Sequence, residues 1–378
     1  MNEIKGLYLV VNSESRGIAS EGILKKIKDQ IHVLNESYIN CQLFEIFHPQ
    51  TSLLYKVLEC YVPFFPDSTK WDYNDVLSNV NFVYIRRPAY ISAAFLNFLR
   101  EIKIRNKHVY ILLEIPTYPY EKEFSKLKFG ILLKDMWNRK KLYRYVDSIV
   151  DLFGNSRLFG IPTIQIRNGT PVTEDSKRVP CGNTKDIKMV CAANFSFWHG
   201  LDRLIEGLYI YFNNGGSRNI TLDIIGGGDE LAKYQQQVKQ YNLEKKIHFL
   251  GSMSREDVFK KYNNYNLGVE SLARHRTGST VPNSSLKSRD YLNVGIPFFG
   301  EGEVDVLAGY KFPYYYQVPS SDSPVNIDTI INFFDSIYKH RSESSVIDEM
   351  HNFAYRTVDM HVSFQNVIRA INLHCLHQ

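Results

Sequence analysis

Pro282-Asn-Ser-Ser-Leu-Lys-Ser-Arg-Asp-Tyr-Leu-Asn-Val-Gly-Ile-Pro-Phe-Phe-Gly300 reads as a short helix that feeds directly into a strand. Asn283 or Ser284 is placed to cap the helix start, because a short polar side chain there accepts hydrogen bonds from backbone N–H groups that lack an intrahelical partner. Gly295 stands where a left-handed residue ends a helix, Pro297 blocks continuation, and Ile296–Phe299 follows as a buried strand. Lys287 is the anomaly. A cation in the first turn opposes the helix dipole at a cost of roughly a few tenths of a kcal/mol, unless an anion is present. Free N–H groups, Ser284, Ser285 and Lys287 at one helix mouth suit a phosphate. The other reading is a solvated lysine on a surface helix.

Working outward, strand and helix alternate through the C-terminal half. Ile187–Ala193, Ile220–Ile225, Lys246–Leu250 and Asn266–Glu270 read as strands. The helix Leu201–Asn214 carries Leu201, Leu204, Ile205, Leu208 and Phe212 on one face. The turn Gly226-Gly-Gly228-Asp229-Glu230 either lets a backbone approach a ligand or is a plain tight turn. Ser254-Arg-Glu-Asp257 opens a helix with a capping-box pattern, and a polar loop, Ser271–Pro282, leads into the quoted helix.

The N-terminal half shows the same alternation. Leu7–Val11 is a strand, a glycine-containing loop follows, and Ile23, Ile27 and Ile31 mark a helix. That loop lacks G-x-G-x-x-G, so a dinucleotide is not indicated. Cys41–Phe47, Phe82–Arg86 and Val109–Leu113 are further strands, with a helix at Ser92–Arg105. Two strand ends carry chemistry. Tyr84-Ile-Arg86-Arg87-Pro88 sets two arginines at one carboxyl edge, and Glu114-Ile-Pro-Thr-Tyr118-Pro-Tyr120 sets a carboxylate at the next. Ligands of open α/β sheets bind at such edges. Glu114 either holds a sugar hydroxyl or accepts a proton, or it pairs with Arg86 or Arg87 to close the loop. Glu121–Val150 reads as a basic helix with Phe124, Phe129, Met136 and Trp137 interleaved among lysines and arginines. It is a solvated face or an attachment to anionic lipid. Ser148–Phe153 and Thr163–Arg167 are the last strands of this half.

Composition bounds the class. The 378 residues suffice for two domains, and 44% hydrophobic with 22% charged residues is that of a folded soluble protein. A net charge of +5 fits an anionic partner without demanding one. The five cysteines show no paired spacing, which points to a reducing compartment. The N-terminus reads as a first strand and not as a signal peptide, and no apolar run approaches the roughly 18 residues of a membrane span. Recurrent aromatic-basic modules for nucleic acid are absent, so none is expected as a partner. No P-loop, H-E-x-x-H or G-x-S-x-G occurs.

Ala192-Ala-Asn-Phe-Ser-Phe-Trp-His-Gly-Leu-Asp-Arg-Leu-Ile-Glu206, Asp223-Ile-Ile-Gly-Gly-Gly-Asp-Glu-Leu231, Ile247-His-Phe-Leu-Gly251 and Ser284–Pro297 follow one another in a familiar order. In that order they resemble the nucleotide-sugar glycosyltransferases of GT-B fold, families 1 and 4. The stretches at Tyr84–Pro88 and Glu114–Tyr120 are similar to a subgroup that assembles surface polysaccharides. The resemblance implies an α/β fold of two facing doubly wound, Rossmann-like domains: residues 1–170 on the acceptor side, a linker at 171–186, a donor-binding domain at 187–350, and helices at 351–378 returning to the first domain. It implies a UDP- or GDP-sugar as co-substrate, no other cofactor, and a glycan or lipid-linked glycan as acceptor.

The implied donor residues are Asn194, Gly227, Met253, His275, Arg276, Ser284, Ser285, Lys287 and Asp290, with His199 and Glu114 catalytic. Arg86, Arg87, Tyr118 and Tyr120 fall on the acceptor side. The chain departs from the family at an arginine place held by Asn194, a lysine place held by His199, and a glutamate pair whose places fall on Pro282 and Asp290. Either His199, Lys287, Arg276 and His275 meet the diphosphate charge, or the site is partly defunct. His199 alternatively does no more than cap its helix. With no Asp-x-Asp in the chain, a metal-held diphosphate is not expected. The resemblance suggests transfer with retention, the leaving phosphate taking the acceptor proton while Glu114 orients the acceptor. The alternatives are a non-catalytic GT-B subunit and a GT-B-type sugar-nucleotide epimerase. The place of action is the cytoplasm or, peripherally, the inner face of the plasma membrane, with an anionic membrane surface as a partner.

Overall fold

Strands of a parallel sheet are covered by helices on both faces, so they read as near-continuous apolar runs. The computed structural model describes residues 3–13, 19–49, 51–62, 65–121, 128–182, 184–278 and 281–376. They form two compact units, Met1–Arg167 with Ser363–Gln378, and Asn168–Val362.

The first unit holds β1 (Ile4–Ser13), β2 (Ile39–His48), β3 (Phe82–Arg86), β4 (Tyr110–Ile115), β5 (Ser148–Asp151), β6 (Arg157–Leu158) and β7 (Ile161–Gln165). They are ordered β2-β1-β3-β4-β5-β7-β6, parallel except for the β6–β7 pair. Its helices are α1 (Ala19–Glu36), α2 (Leu53–Tyr61), α3 (Ala93–Arg105) and α4 (Phe129–Arg139). Val83, Ile85, Ile111 and Leu113 pack on Phe95, Phe98 and Leu99 of α3 in one buried cluster.

The second unit holds β8 (Ile187–Ala192), β9 (Ile220–Ile225), β10 (Ile247–Gly251), β11 (Leu267–Val269), β12 (Phe298–Glu301) and β13 (Tyr315–Val318), all parallel in the order β10-β9-β8-β11-β12-β13. Its helices are α5 (Leu201–Asn213), α6 (Leu231–Gln240), α7 (Arg255–Tyr262), α8 (Leu286–Val294), α9 (Ile327–Tyr338) and α10 (Glu343–Thr357). Alternate residues of β8 feed opposite layers: Met189 and Cys191 join Leu204, Leu208 and Phe334, while Val190 joins Tyr291, Leu292 and Met350. α11 (Met360–Leu376) begins in this unit and from Ser363 belongs to the first, where His374 stacks on Tyr110 at 4.4 Å and Phe364 lies 5.6 Å from Tyr84. Among the described residues no helix is long and apolar enough to cross a membrane.

Several expectations are corrected. The cap of α8 is neither Asn283 nor Ser284 but Ser285, whose Oγ accepts from Ser288 N at 3.2 Å. Every residue of α8 from Lys287 to Val294 is buried, so α8 is a core helix and Lys287 is not solvated at its surface. Among the described residues of 121–150, the long helix expected there is α4 followed by a 3-10 turn at Leu142–Arg144, and β5 ends the segment. Residues 14–18 of the first loop, and Lys122, Phe124 and Lys126, lie outside the described residues. The expected linker is fastened to the second unit: Arg178 Nη1 lies 2.5 Å from Glu343, and Arg178 N donates to Val294 O at 3.0 Å.

The three glycines after β9 answer to backbone packing. Gly226 and Gly228 have φ of 127° and 123°, and a Cβ on Gly228 would lie 2.4 Å from Phe195 N. Gly227 has room, its nearest neighbour being Ser252 Oγ at 3.5 Å. Gly226→Ala or Gly228→Ala should therefore each lower stability by about 1–3 kcal/mol in urea titrations, while Gly227→Ala stays within about 1 kcal/mol of the parent.

Candidate functional site

At the C-terminal end of β11 the chain places a carboxylate under the mouth of α8. Glu270 is 1% exposed. Its oxygens accept from Ser285 Oγ at 2.6 Å, from Ser271 N at 3.3 Å and from Asn283 Nδ2, and Lys287 Nζ lies 3.4 Å away. Burial pushes the Glu270 carboxyl up, but Lys287, Ser285 and Asn283 outweigh it and hold it below its usual range. Lys287, anomalous against the helix dipole, is thus compensated from below. Ser285 serves both as cap and as donor to Glu270. Ser284 accepts from Arg289, a fully buried guanidinium that also pairs with Asp305 at 2.5 Å.

The loop after β8 is pinned against the same strand end. Gly200 adopts φ 63°, and a Cβ there would lie 2.6 Å from Ala273 Cβ. His199 O accepts from Leu272 N at 2.9 Å. The His199 ring is buried, and its Nδ1 lies 2.9 Å from Ser196 N, which can only donate. Nδ1 also lies 3.2 Å from Ser196 O; with the shorter contact taken as the hydrogen bond, Nδ1 accepts from Ser196 N and the ring proton of the neutral form is on Nε2. Burial, then the nearby Lys287 charge, lower His199 to about 3. His199 is a neutral donor near pH 7 and not a fixed positive charge, which corrects the expectation that it supplies one to a diphosphate.

The other expected cations are already matched. Arg276 grips Asp202 through two bonds of 3.1 and 2.7 Å and reaches Asp322 at 2.7 Å. His275 lies between Glu301 at 2.8 Å and Asp322 at 3.2 Å. These pairs tie the loop after β11 to α5 and to the segment after β13, and neither residue presents uncompensated charge. Asp290 sits on α8 three residues beyond Lys287, 2.5 Å from Arg255, which also holds Thr170. Burial pushes Asp290 up to about 6 against the pull of Arg255. Asn194 is exposed on the β8 loop, Gly227 lies on the β9 turn, and Met253 is half-buried after β10, so these three follow neighbouring strand ends. The sequence reading missed Glu270, Arg255 and Arg274, whose Nη2 donates to Val281 O at 2.8 Å. A carboxylate ending a buried strand was the available signal for Glu270, as it was for Glu114.

In the first unit Glu114 is fully buried within β4. Tyr84 Oη and Arg86 Nη1 each donate to it at 2.6 Å, Gln30 Nε2 at 3.2 Å, and Lys26 Nζ lies 3.4 Å away. Burial pushes Glu114 up, yet Lys26, Arg86, Tyr84 and Gln30 together hold it at about 2. A carboxylate so surrounded takes up no proton near neutrality and offers no surface to an acceptor. Of the two readings of this strand end, the pairing of Glu114 with Arg86 is the one the fold makes, and the catalytic one is corrected. Arg87 lies over the Tyr120 ring at 3.9 Å, and Tyr120, also buried, donates to Asp135 at 2.9 Å. Tyr118 is half-buried, edge-on to Tyr120. Tyr120 is thus a core residue beneath Arg87, while Arg86, Arg87 and Tyr118 keep partial exposure at the strand edge.

Residues 172–271 match the family described as Glycosyl transferases group 1. No curated protein matches the chain in sequence. Among solved structures, a glycosyltransferase from Rickettsia africae is similar over 100% of both chains, with a TM-score of 0.64 and 11% identity. Anabaena Alr3699/HepE in complex with UDP matches 98% of this chain and 100% of its own, with a TM-score of 0.60 and 12% identity. Sucrose-phosphate synthase from Thermosynechococcus elongatus covers 98% and 99%, with a TM-score of 0.60 and 11% identity. At these identities the structural likeness speaks for the fold, and the family match speaks for residues 172–271, whose last two are Glu270 and Ser271. The chain thus carries a segment of the group 1 glycosyltransferase family within a fold of two Rossmann-like sheets that solved glycosyltransferases share.

Proposed function

We propose that the chain moves a glycosyl unit from a UDP- or GDP-sugar to a growing, lipid-linked glycan, with retention of anomeric configuration and without a divalent metal. The observation that carries this reading is the mouth of α8, where Lys287 and the first-turn N–H groups stand over Glu270 at the end of the family-matched segment. Fixed donors and a cation at that point stabilise the negative charge that develops on a departing nucleoside diphosphate. Anabaena HepE has been captured with UDP-glucose and the pneumococcal GtfA with UDP and GlcNAc, which supports a nucleotide sugar here by analogy.

In this reading Lys287 turns part of its charge from Glu270 to the diphosphate, and His199 donates a neutral hydrogen bond from Nε2. Asp290, held by Arg255, faces ribose hydroxyls, with Asn194, Gly227 and Met253 around the nucleotide. Arg86, Arg87 and Tyr118 serve the acceptor. The leaving phosphate oxygen takes the acceptor proton, so no side-chain base is required. A lipid-carried acceptor makes the reaction one of a membrane's cytoplasmic face, the protein being held there peripherally.

Lys287→Ala should weaken nucleoside-diphosphate binding by about 1.5–3 kcal/mol in calorimetry. Because that change also strips Glu270 of its cation, the companion variant Lys287→Ala with Glu270→Gln removes both charges, and unchanged affinity in it defeats the reading. Turnover should persist in excess chelator, and loss that is restored by manganese or magnesium overturns metal independence. Anomeric retention is read directly by proton NMR of the first product formed.

His199 gives a separate test. His199→Phe should weaken nucleoside-diphosphate binding by about 0.5–1.5 kcal/mol, whereas His199→Gln keeps a neutral donor and most of the affinity. Its neutral state also has a stability signature. With a folded pKa of about 3, below an unfolded value of about 6.5, its contribution is complete above about pH 6.5 and is lost as pH falls toward 3. The acid limb of a stability–pH curve should flatten by up to about 1.4 kcal/mol per pH unit in His199→Gln.

A further inference from the structure

Two helices of the first unit turn large apolar side chains to solvent. On α2, Leu53, Leu54, Val57 and Tyr61 recur at helical spacing, with Leu53 80% and Leu54 69% exposed. On α4, Phe129, Leu133, Met136 and Trp137 do the same, with Phe129 60% and Trp137 70% exposed. The helices pack on each other: a Cβ on Gly130 would lie 2.5 Å from Cys60 O, and Lys134 Nζ donates to Glu59 O at 2.8 Å. Ordinary soluble surfaces scatter their exposed apolar residues, and a cluster of this size marks an interaction site.

Charge says what covers it. The carboxylates of these helices, Glu59 and Asp135, are both buried. Glu59 accepts from Tyr90 Oη at 2.8 Å, and Asp135 accepts from Ile91 N at 2.8 Å and Tyr120 Oη at 2.9 Å. Lys134 is buried and Arg139 pairs with Glu121 and Asp135, but Lys56 on α2, Lys128 and Lys140 at the two ends of α4, and Arg144 in the following turn are exposed. Lys141 lies 5.3 Å over the Trp137 ring. A second copy of this chain seated symmetrically on the same face would bring these like charges together. An anionic lipid surface would neutralise them while its acyl boundary took the apolar side chains.

We propose that α2 and α4 form a docking surface for anionic membrane, with Leu54, Phe129 and Trp137 entering the headgroup–acyl boundary and the surrounding lysines and Arg144 meeting lipid phosphate. The inference stands on these two helices and not on the donor site, so the two can fail separately.

The test is flotation of the full chain with vesicles of phosphatidylcholine alone and of phosphatidylcholine with phosphatidylserine. Binding should be about tenfold greater to the anionic vesicles at low salt and should fall at about 0.5 M salt. Leu54→Glu with Trp137→Glu should reduce it at least about tenfold. Lys140→Glu with Lys141→Glu, which leaves the apolar face intact, should reduce it several-fold. Both pairs should retain the parent circular dichroism and nucleoside-diphosphate affinity. Equal, negligible binding to both vesicle types overturns the proposal. So does a concentration-dependent dimer, seen by light scattering, that the apolar pair abolishes while the parent floats with neither vesicle.

Discussion

A carboxylate withdrawn from water costs several kcal/mol unless cations and hydrogen-bond donors surround it. Each sheet of this protein carries such a group at the C-terminal end of a central strand, Glu114 on β4 and Glu270 just past β11. Each is compensated by residues from several elements. Around Glu114 stand Lys26 and Gln30 of α1 with Tyr84 and Arg86 of β3. Around Glu270 stand Asn283, Ser285 and Lys287 at the start of α8. Removing any one partner leaves charge without its full shell, so the strand ends and the elements over them must take up their places together. The strand edges, where ligands of such sheets bind, are thereby made rigid.

That compensation decides which expected residues are available for chemistry. Counting basic side chains near α8 gives a strongly positive edge, but Arg276, His275, Arg255 and Arg289 are each opposed by a carboxylate at 2.5 to 2.8 Å. These pairs fix loop positions and leave little net field. Lys287 differs in degree, since its partner lies at 3.4 Å and shares its oxygens with three other donors. Of these five side chains it has the longest contact to its carboxylate.

The alternation of strands and helices was legible because buried parallel strands are largely apolar, and β8, β9 and β4 advertise themselves as Ile-Lys-Met-Val-Cys-Ala, Ile-Thr-Leu-Asp-Ile-Ile and Tyr-Ile-Leu-Leu-Glu-Ile. The left-handed end of α8 at Gly295 was equally plain, for a Cβ there meets Ile347 at 2.7 Å. Shorter elements escaped: β6 is two residues long, β13 is a run of tyrosines and glutamine before a valine, and α2 exposes much of its apolar face. In the candidate site the residue types were legible and their partners were not. Asp202 lies 74 positions from Arg276, and Tyr8 lies 106 from Glu114. No local pattern encodes pairings of that span, so Arg276 looked like a free cation, and of the groups around Glu114 only Arg86 was foreseen as an alternative.

His199 and Lys287 show how the edge divides its charge. Both are buried near the same carboxylate, and the Lys287 charge is the second cause, after burial, of the histidine's reluctance to protonate. Two adjacent buried cations above one glutamate would leave one of them uncompensated. The charge rests on the lysine, whose intrinsic basicity is higher by about four pH units. The imidazole keeps its proton on Nε2 because Ser196 N occupies Nδ1. The result is one charged donor and one neutral donor from different loops, both anchored at the end of β11.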